Sequence, residues 1–479
     1  MRIHAGHDDL GVEVWHGDCM DVLAKMEDES VDAFVCDPPY NLAFMGREWD
    51  THVGPVAYQE WCRAWATEAL RVLKPGGHLL AFGGTRTHHR LMSGVEDAGF
   101  EIRDSITWLY GSGFPKSLDV SKAIDRAAGV DREVVDTVPA RLPQAQAAGW
   151  GNRGRDAHRD AHRGTVPMPI TAPATDDAKK WAGYGTALKP AGEPVVCARK
   201  PLSEKTVAAN VIRHGTGAIN VDACRVAAMP GDYTHLGNDL GKRDDETDWR
   251  FQKRQVEPHA VGRWPANVVL SHAATAEGDD ACADGCVEGC AVAELDRQSG
   301  TSTSPPVGSF VRQKPRESGS MAGGMSHDAD KPNGYGDSGG SSRFFPVFRY
   351  QAKAPKSQRP KVDGVTHATV KPLTLMQWLV RLVTPPGGIV CDPFAGSGTT
   401  VEACINEGFR CIAAEAEAEY LPLIDVRIAR SRPSLWISSA CSRHRRSRPS
   451  SRWRGSPPRR TAGRGCRGGQ SNVTTASTY

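Results

Sequence analysis

The sequence predicts an α/β fold with a parallel, doubly wound sheet, and two observations predict it. Short apolar runs typical of buried strands alternate with segments of helical periodicity between residues 12 and 110, and this alternation returns between 369 and 429. In the second segment, a glycine-rich loop at 392–400 follows a strand and precedes a helix, as in nucleotide-binding α/β proteins.

The amino-terminal part contains most of the predicted strands. The segment Lys74-Pro75-Gly76-Gly77 is expected to end the helix before it, because a basic last turn followed by Pro and Gly stops helices. Residues 138–182 lack periodicity, which predicts a flexible insertion. The predicted strands are 12–16, 31–36, 78–82, 101–109 and 193–198, and the predicted helices lie around 20–26, 57–73 and 86–98.

The carboxyl-terminal part of the α/β pattern begins near residue 369. Apolar residues on one side predict a helix over 372–383, which a Pro-Pro-Gly-Gly turn ends. The strand 389–391 leads into the glycine-rich loop. The remaining predicted elements are a helix that ends near 406, a strand over 410–414 and a helix over 417–429.

The chain of 479 residues is long enough for two or three domains. Residues 201–345 alternate short ordered patches with polar stretches, which predicts a separate module between two α/β halves, 1–200 and 346–430. Residues 431–479 are rich in Arg, Ser, Pro and Gly, and we expect a disordered basic tail there.

Charge divides unevenly along the chain. The formal net charge is +3, but the tail contains eleven arginines and no acidic residue, so residues 1–430 carry about −8. If this acidic part binds DNA, it must use local basic patches. The thirteen cysteines are odd in number and scattered, and no signal peptide or apolar run of membrane length is evident. We therefore expect free thiols in a cytoplasmic protein that does not enter a membrane.

The loop at 392–400 has the features of a nucleotide site. Gly396 and Gly398 permit tight backbone turns, and Glu415 ends the next strand, where an acid can bind ribose hydroxyls. The third glycine of a dinucleotide motif is absent, because Val401 stands there. The lysine of a phosphate-binding P-loop is also absent, which disfavours both a dehydrogenase and a nucleotide triphosphatase.

A second motif, Asp37-Pro38-Pro39-Tyr40, follows the strand 31–36. The two motifs in this order resemble the β group of DNA amino-methyltransferases, in which the catalytic tetrapeptide precedes the cofactor loop. The sequence Thr-Val-Lys-Pro-Leu at 369–373 and the pair Gly17-Asp18 resemble further segments of that group. Matches of this kind cover roughly 12–110, 183–200 and 345–430.

The resemblance implies a permuted, Rossmann-like methyltransferase sheet, in which the last strands pair beside the first. It implies S-adenosylmethionine as the cofactor, double-stranded DNA as the substrate, and residues 201–345 as an inserted target-recognition module. The halves 1–200 and 346–430 would then be catalytic and cofactor-binding. The residues that the resemblance assigns to the cofactor are Asp18, Thr369, Lys371, Asp392, Phe394, Gly396, Gly398, Thr399 and Glu415.

The tetrapeptide suits transfer of a methyl group to an exocyclic amine. The lone pair of such an amine is delocalised into its ring, and acceptors such as Asp37 Oδ and the Pro38 carbonyl would favour a pyramidal, nucleophilic nitrogen. Pro38 and Pro39 stiffen the loop, and Tyr40 can stack on the base. Because a paired base is out of reach within the duplex, the base must be rotated out of the stack.

The identity of the target base is less sharply indicated than the reaction. An aspartate at position 37 is commoner among adenine N6 enzymes of the family, so adenine is favoured over cytosine N4. The alternatives are cytosine N4 methylation and a catalytically silent DNA-binding relative. The recognition sequence, the oligomeric state and any restriction partner stay open.

One cluster outside these motifs has metal-ligand chemistry. His272, Cys282, Cys286 and Cys290 could form a tetrahedral zinc site, although the four-residue spacing of the cysteines differs from the tighter zinc knuckle. The acidic pair Asp279-Asp280 offers alternative ligands. Most of the other cysteines are expected to serve as small, buried apolar residues.

Overall fold

A computed structural model describes residues 2–43, 50, 53–111, 117–140, 166–226, 263–272, 286, 290–303, 338–348 and 359–431. The strands are β1 (Arg2–His7), β2 (Val12–His16), β3 (Val31–Cys36), β4 (Leu73–Phe82), β5 (Glu101–Tyr110), β6 (Val134–Ala140), β7 (Val166–Thr171), β8 (Gly192–Arg199), β9 (Val268–Ser271), β10 (Ser302–Thr303), β11 (Ser338–Gly339), β12 (Val347–Phe348), β13 (Ile389–Asp392) and β14 (Arg410–Glu415). The α-helices are α1 (Cys19–Leu23), α2 (Pro55–Val72), α3 (His88–Asp97), α4 (Val120–Ala127), α5 (Asp176–Lys180), α6 (Val207–His214), α7 (Ala291–Ser299), α8 (Leu373–Val383), α9 (Thr399–Glu407) and α10 (Leu421–Ser431).

Ten strands form one sheet in the order β1-β2-β14-β13-β3-β4-β8-β5-β9-β12. The block from β2 to β4 is parallel, as predicted. Two strands depart from the predicted parallel arrangement: β1 is antiparallel to β2, and β8 is antiparallel to both β4 and β5. A tight turn joins β1 to β2, with the Leu10 N–H donating to the His7 carbonyl at 2.9 Å, and so short a connection permits only antiparallel pairing.

The sheet has the permuted order that the resemblance implied. β13 comes late in the chain, yet it lies between β14 and β3. Val390 pairs with Ala33 and Cys391 with Phe34 in parallel register. The carboxyl ends of β3 and β13 therefore meet at one edge of the sheet, where the strand order reverses and where open α/β sheets bind their ligands.

Helices cover both faces of this sheet, so the fold is doubly wound. In β3, Ala33 and Val35 join an apolar cluster that includes α8, α9 and α10, whereas Phe34 and Cys36 join a second cluster that includes α2 and α3. This alternation follows the two-residue period of a strand. All six residues of β3 are buried, as expected for a central parallel strand.

The helix before β4 ends close to the predicted stop. The predicted turn at 74–77 instead forms the irregular start of β4, and the register against β3 shifts between Val31 and Ala33. Gly76 has a φ of 80°, which a residue with a side chain rarely adopts, and its N–H donates to the Lys200 carbonyl at 3.2 Å. The Pro-Gly-Gly segment therefore ends the helix and enters the sheet without a separate turn.

The middle of the chain contributes to the sheet. Within the predicted module 201–345, β9 pairs in parallel with β5, and β12, which lies just after this range, pairs with β9. The predicted flexible insertion over 138–182 is ordered at both ends, where β6 pairs with β7 and α5 follows. Residues 141–165 and the tail after 431 lie outside the described residues. Among the described helices, none has the length and apolar character needed to cross a membrane.

A buried ion pair between α9 and α10 contacts the glycine-rich loop. The Arg427 side chain on α10 is fully buried and donates to Glu402 on α9 and to Ser397 Oγ in the loop, the latter at 3.4 Å. Arg430 also donates to Glu402, at 2.7 Å. Burial lowers the pKa of Arg427 to about 10, although Glu402 opposes this shift. Removing one member of such a pair leaves an uncompensated buried charge.

We predict that Glu402→Ala lowers the free energy of unfolding by about 3–5 kcal/mol, because Arg427 then loses its buried carboxylate. The control is Glu407→Ala on the same helix, which removes a partner of the more exposed Arg381 and should cost about 1 kcal/mol or less. Urea denaturation of both variants measures the difference. Equal losses would show that the buried pair has no special role.

Candidate active site

The tetrapeptide 37–40 leaves the carboxyl end of β3 and faces the loop that leaves β13. Asp37 follows the last residue of β3, and its carboxylate is partly buried, with 22% of the side chain exposed. Pro38 is buried, and the Pro39 carbonyl accepts a hydrogen bond from the Tyr58 hydroxyl at 2.9 Å. Two prolines and this anchoring bond from α2 fix the backbone of the loop.

Lys371 connects the tetrapeptide 37–40 to the carboxyl-terminal half. Its Nζ donates to Asp37 Oδ2 at 2.5 Å, across 334 positions of sequence, and lies 3.1 Å from the Tyr40 hydroxyl. The ammonium also lies over the Tyr40 and Phe82 rings, at 5.3 and 4.8 Å from their centroids. Burial alone would lower the pKa of Lys371, but Asp37 and Glu193 outweigh burial and raise it. Lys371 therefore stays charged beside Asp37.

Glu193 completes this cluster, and no sequence pattern singled it out. It lies near the start of β8, with Oε2 at 3.4 Å from Lys371 Nζ and at 3.3 Å from the Tyr40 hydroxyl. Tyr110 at the end of β5 donates to its Oε1 at 3.4 Å. Two carboxylates thus share one buried ammonium, and the antiparallel strand β8 brings the second of them into the site.

Tyr40 is oriented by its hydroxyl. The hydroxyl donates to Asp37 Oδ1 at 2.8 Å. Burial first, and the negative charges of Asp37 and Glu193 second, raise the pKa of Tyr40 well above its usual value, so the phenol keeps its proton. Asp37 therefore receives one hydrogen bond on each carboxylate oxygen, from Tyr40 and Lys371, which fixes its orientation.

The glycine-rich loop is built around two carboxylates. Glu415 accepts hydrogen bonds from the Gly396 N–H at 2.6 Å and from the Glu417 N–H at 2.8 Å. Asp392 accepts from the Phe394 N–H at 3.0 Å and from the Thr400 hydroxyl. Both carboxyl groups are buried, and burial raises the pKa of each to about 7 despite these hydrogen bonds.

Glycine is required at both positions of this loop. Gly396 has a φ of 54°, and a Cβ there would lie 3.1 Å from the His367 ring. Gly398 has a φ of 80°, and a Cβ there would lie 3.2 Å from the backbone Cα of Ile424. A side chain at either position would therefore strain the backbone and press against the neighbouring residue.

The other residues that the resemblance assigned to the cofactor have more varied surroundings. The Phe394 ring packs against Trp65 and Trp61, with centroids 5.5 and 5.8 Å away. Thr399 is buried at the start of α9, and the backbone nitrogen of Thr369 lies 3.3 Å from His367 Nδ1. Asp18 is exposed at the carboxyl end of β2, where it caps α1 by accepting from the Met20 N–H.

The structure thus brings together Asp37, Tyr40 and Lys371, and separately Asp392, Gly396 and Glu415. Lys371, which the resemblance assigned to the cofactor, has its ammonium in contact with Asp37 and Glu193. His367 was also missed as an individual residue. Its Nδ1 lies 2.7 Å from the Thr369 carbonyl and its ring packs edge-on against Tyr420, so it lines the loop from the side of Gly396.

Three of the four predicted metal ligands converge at a different place. His272 Nδ1 lies 3.3 Å from Cys286 Sγ and 3.5 Å from Cys290 Sγ. One ligand atom from each of the three residues lies within 4.8 Å of the others. Cys282 and the alternative ligands Asp279 and Asp280 lie outside the described residues.

Comparison with known proteins gives both a family match and similar individual proteins. A model of a DNA methylase family matches residues 31–126 and 309–425, which contain both motifs. The type II methyltransferase M.HindIII of Haemophilus influenzae strain Rd is 23% identical over 245 residues. That match spans 43% of this chain and 64% of M.HindIII, so the chain covers less than two thirds of this relative.

Two solved structures are similar over most of the chain. The M1.HpyAVI–SAM complex is 14% identical with a TM-score of 0.33, and the match covers 87% of this chain and 99% of that one. The cytosine-N4-specific PvuII DNA methyltransferase is 12% identical with a TM-score of 0.37, covering 87% and 86%. The description of the fold therefore rests on the strand order and register of this chain and not on these two similarities.

The raised pKa of Asp392 predicts a pH-dependent stability. Between about pH 4 and pH 7 the folded protein holds a proton on Asp392 that the unfolded chain has lost, so this group's contribution falls as pH rises through that window. Asp392→Asn does not titrate there and can keep the bond from the Phe394 N–H. Urea denaturation should therefore show the variant gaining stability relative to the unsubstituted protein between pH 5 and pH 8. A difference that is constant with pH would contradict the assignment.

Proposed function

We propose that this chain is a DNA methylase of the N6/N4 family and that it transfers a methyl group from S-adenosylmethionine to the N6 amine of adenine. The substrate is double-stranded DNA with a specific recognition sequence, and the target base is rotated out of the duplex. The observation that carries this proposal is the position of Asp37 and Tyr40 at the carboxyl end of β3, directly beside the glycine-rich loop that follows β13.

The residues around the loop at 392–400 fit S-adenosylmethionine. Gly396 and Gly398 give the tight loop that side chains would exclude, since a Cβ at either would meet His367 or Ile424, and Glu415 presents a buried carboxylate beside the loop. A carboxylate is a suitable acceptor for ribose hydroxyls, and the adjoining loop backbone suits the methionine part. When bound, the cofactor supplies an electrophilic methyl group on a sulfonium.

Asp37 acts on the amine in this proposal. Its carboxylate accepts a hydrogen bond from an N–H of the base and favours the pyramidal nitrogen, whose lone pair then faces the methyl group. The Pro38 carbonyl is a second acceptor for the amine. With S-adenosylmethionine bound, the sulfonium would supply the methyl group to the amine, and Asp37 or water would take up the proton that the amine loses. Orientation supplies much of the rate enhancement, because no covalent enzyme intermediate is needed.

Lys371 is a positioning residue for Asp37 in this proposal. A carboxylate that receives hydrogen bonds from Lys371 and Tyr40 is fixed in one orientation, and each oxygen has a further lone pair for the base amine. Glu193 shares the charge of Lys371, so the ammonium does not bind Asp37 alone. Lys371 thus compensates part of the charge of Asp37 and Glu193. Asp37 therefore remains a hydrogen-bond acceptor in a partly buried pocket.

Tyr40 contributes a flat surface for the extruded base. A Cβ added at Gly84 would lie 3.1 Å from Tyr40 Cδ2, and Lys371 Nζ lies 5.3 Å from the ring centroid. Gly84 therefore lets the chain after β4 pass close to this ring. Stacking of a base on an aromatic ring contributes about 1–3 kcal/mol, which offsets part of the cost of unstacking the base.

Adenine is preferred over cytosine on the evidence of Asp37, since aspartate at this position is commoner among adenine N6 enzymes of the family. The contacts of Asp37 would serve either amine, because adenine N6 and cytosine N4 are both exocyclic and both donate two hydrogens. Modification sequencing therefore has to identify the base directly.

We predict that Asp37→Ala abolishes methylation and leaves binding of S-adenosylmethionine within about threefold, because Asp37 acts on the base amine. Calorimetry measures cofactor binding, and transfer of a tritiated methyl group to DNA measures activity. Long-read modification sequencing of DNA from expressing cells should show N6-methyladenine in one short motif for the unsubstituted protein, and none for the variant.

The control is Asp28→Ala, which removes an exposed partner of Arg71 and should leave both activities unchanged. Methylation that survives Asp37→Ala would overturn the proposed role of this carboxylate. N4-methylcytosine would replace the adenine assignment and keep the reaction class. Absence of any modified base, with cofactor binding intact, would favour the silent DNA-binding relative.

A further inference from the structure

A cluster of three metal-ligand side chains lies where β9 ends and α7 begins. His272 directly follows β9, Cys290 directly precedes α7, and Cys286 is four residues earlier. His272 Nδ1 lies 3.3 Å from Cys286 Sγ and 3.5 Å from Cys290 Sγ. None of these residues has a part in the methyl transfer.

Hydrogen bonding alone accounts poorly for this arrangement. A ring nitrogen carries either one hydrogen or one lone pair, so Nδ1 can form a full hydrogen bond with only one of the two sulfurs. In a tetrahedral zinc site, with bonds of about 2.3 Å to sulfur and 2.05 Å to nitrogen, a sulfur and a nitrogen ligand lie about 3.6 Å apart. The two observed separations are close to that value.

The described part of the surrounding core is small. Within the described residues, the apolar cluster here contains three buried residues, Leu270, Cys290 and Val292, with partly buried neighbours around them. β9 has four residues, and its edge partner β12 has two. Segments with so little apolar burial commonly depend on a metal or a disulfide for stability.

We propose that His272, Cys286 and Cys290 bind a zinc ion that fixes this edge of the sheet. Two thiolates and one imidazole are ligands that zinc favours, and a fourth ligand completes the tetrahedron. Binding requires that both thiols lose their protons. The backbone N–H of His272 donates to the Phe348 carbonyl on β12 at 3.1 Å. The ion would therefore join β9 and β12, through His272, to the start of α7, through Cys290.

The role of this ion is structural. β9 is separated from β3 by three strands, which at the usual strand spacing amounts to about 19 Å. The ion therefore cannot contact a base held at Asp37. It lies on the described part of the segment 201–345, which the resemblance implied for target recognition.

The test is the zinc content of the full, untagged chain, expressed with zinc in the medium and purified without chelators. Elemental analysis should find close to one zinc per chain. Cys286→Ser, Cys290→Ser and His272→Ala should each lower the content at least fivefold. Cys224→Ala is the control, because Cys224 is a buried cysteine outside the cluster and its thiol donates to the Trp378 carbonyl.

Cobalt supplies a second readout that does not depend on activity. Protein reconstituted with cobalt(II) should show the visible bands of a tetrahedral ion and a thiolate charge-transfer band, and Cys286→Ser should weaken the latter. Because Cys286 is exposed, this variant should keep the fold, which circular dichroism checks. A zinc content below about one tenth per chain, or one that the three substitutions leave unchanged, would overturn the proposal.

Discussion

The ion pair between Lys371 and Asp37 joins two parts of the chain that are 334 positions apart, and the candidate site depends on it. Lys371 belongs to the segment that precedes α8, whereas Asp37 directly follows β3. The pair holds the Asp37 carboxylate in one orientation and places a compensating charge beside it, which a partly buried anion needs. Glu193 and Tyr40 extend the pair into a network, so a single displaced member would affect the others.

The permuted sheet makes this ion pair possible. Because β13 lies between β14 and β3, the loop that fits the cofactor and the loop that carries Asp37 leave the sheet at neighbouring strands. Asp32 on β3 strengthens this junction, since its buried carboxylate accepts from the Ile389 N–H at 2.8 Å and from Lys74 at 2.7 Å. The two halves of the site are thereby fixed relative to each other before any ligand binds.

Much of the fold follows from sequence pattern, because the period of apolar residues identifies strands and helices. β2, β3 and β14 lie within one residue of their predicted bounds. The pattern does not identify which strands are neighbours, so the permuted order came only from the resemblance, and the antiparallel strands were missed. The same limit applies to the site. Asp37 and Gly396 stand in recognisable motifs, whereas Glu193 lies 153 positions from Tyr40 in a strand with no distinctive sequence.

The most direct test of the account is the effect of Lys371→Met on two quantities, the rate of methyl transfer at saturating cofactor and the dissociation constant of S-adenosylmethionine. If Lys371 positions Asp37, the rate should fall by about 100-fold while the dissociation constant changes by less than about threefold. The exposed Lys122→Met is the control and should alter neither. An unchanged rate, or a loss confined to cofactor affinity, would contradict the claim that this ion pair unites the two halves of the site.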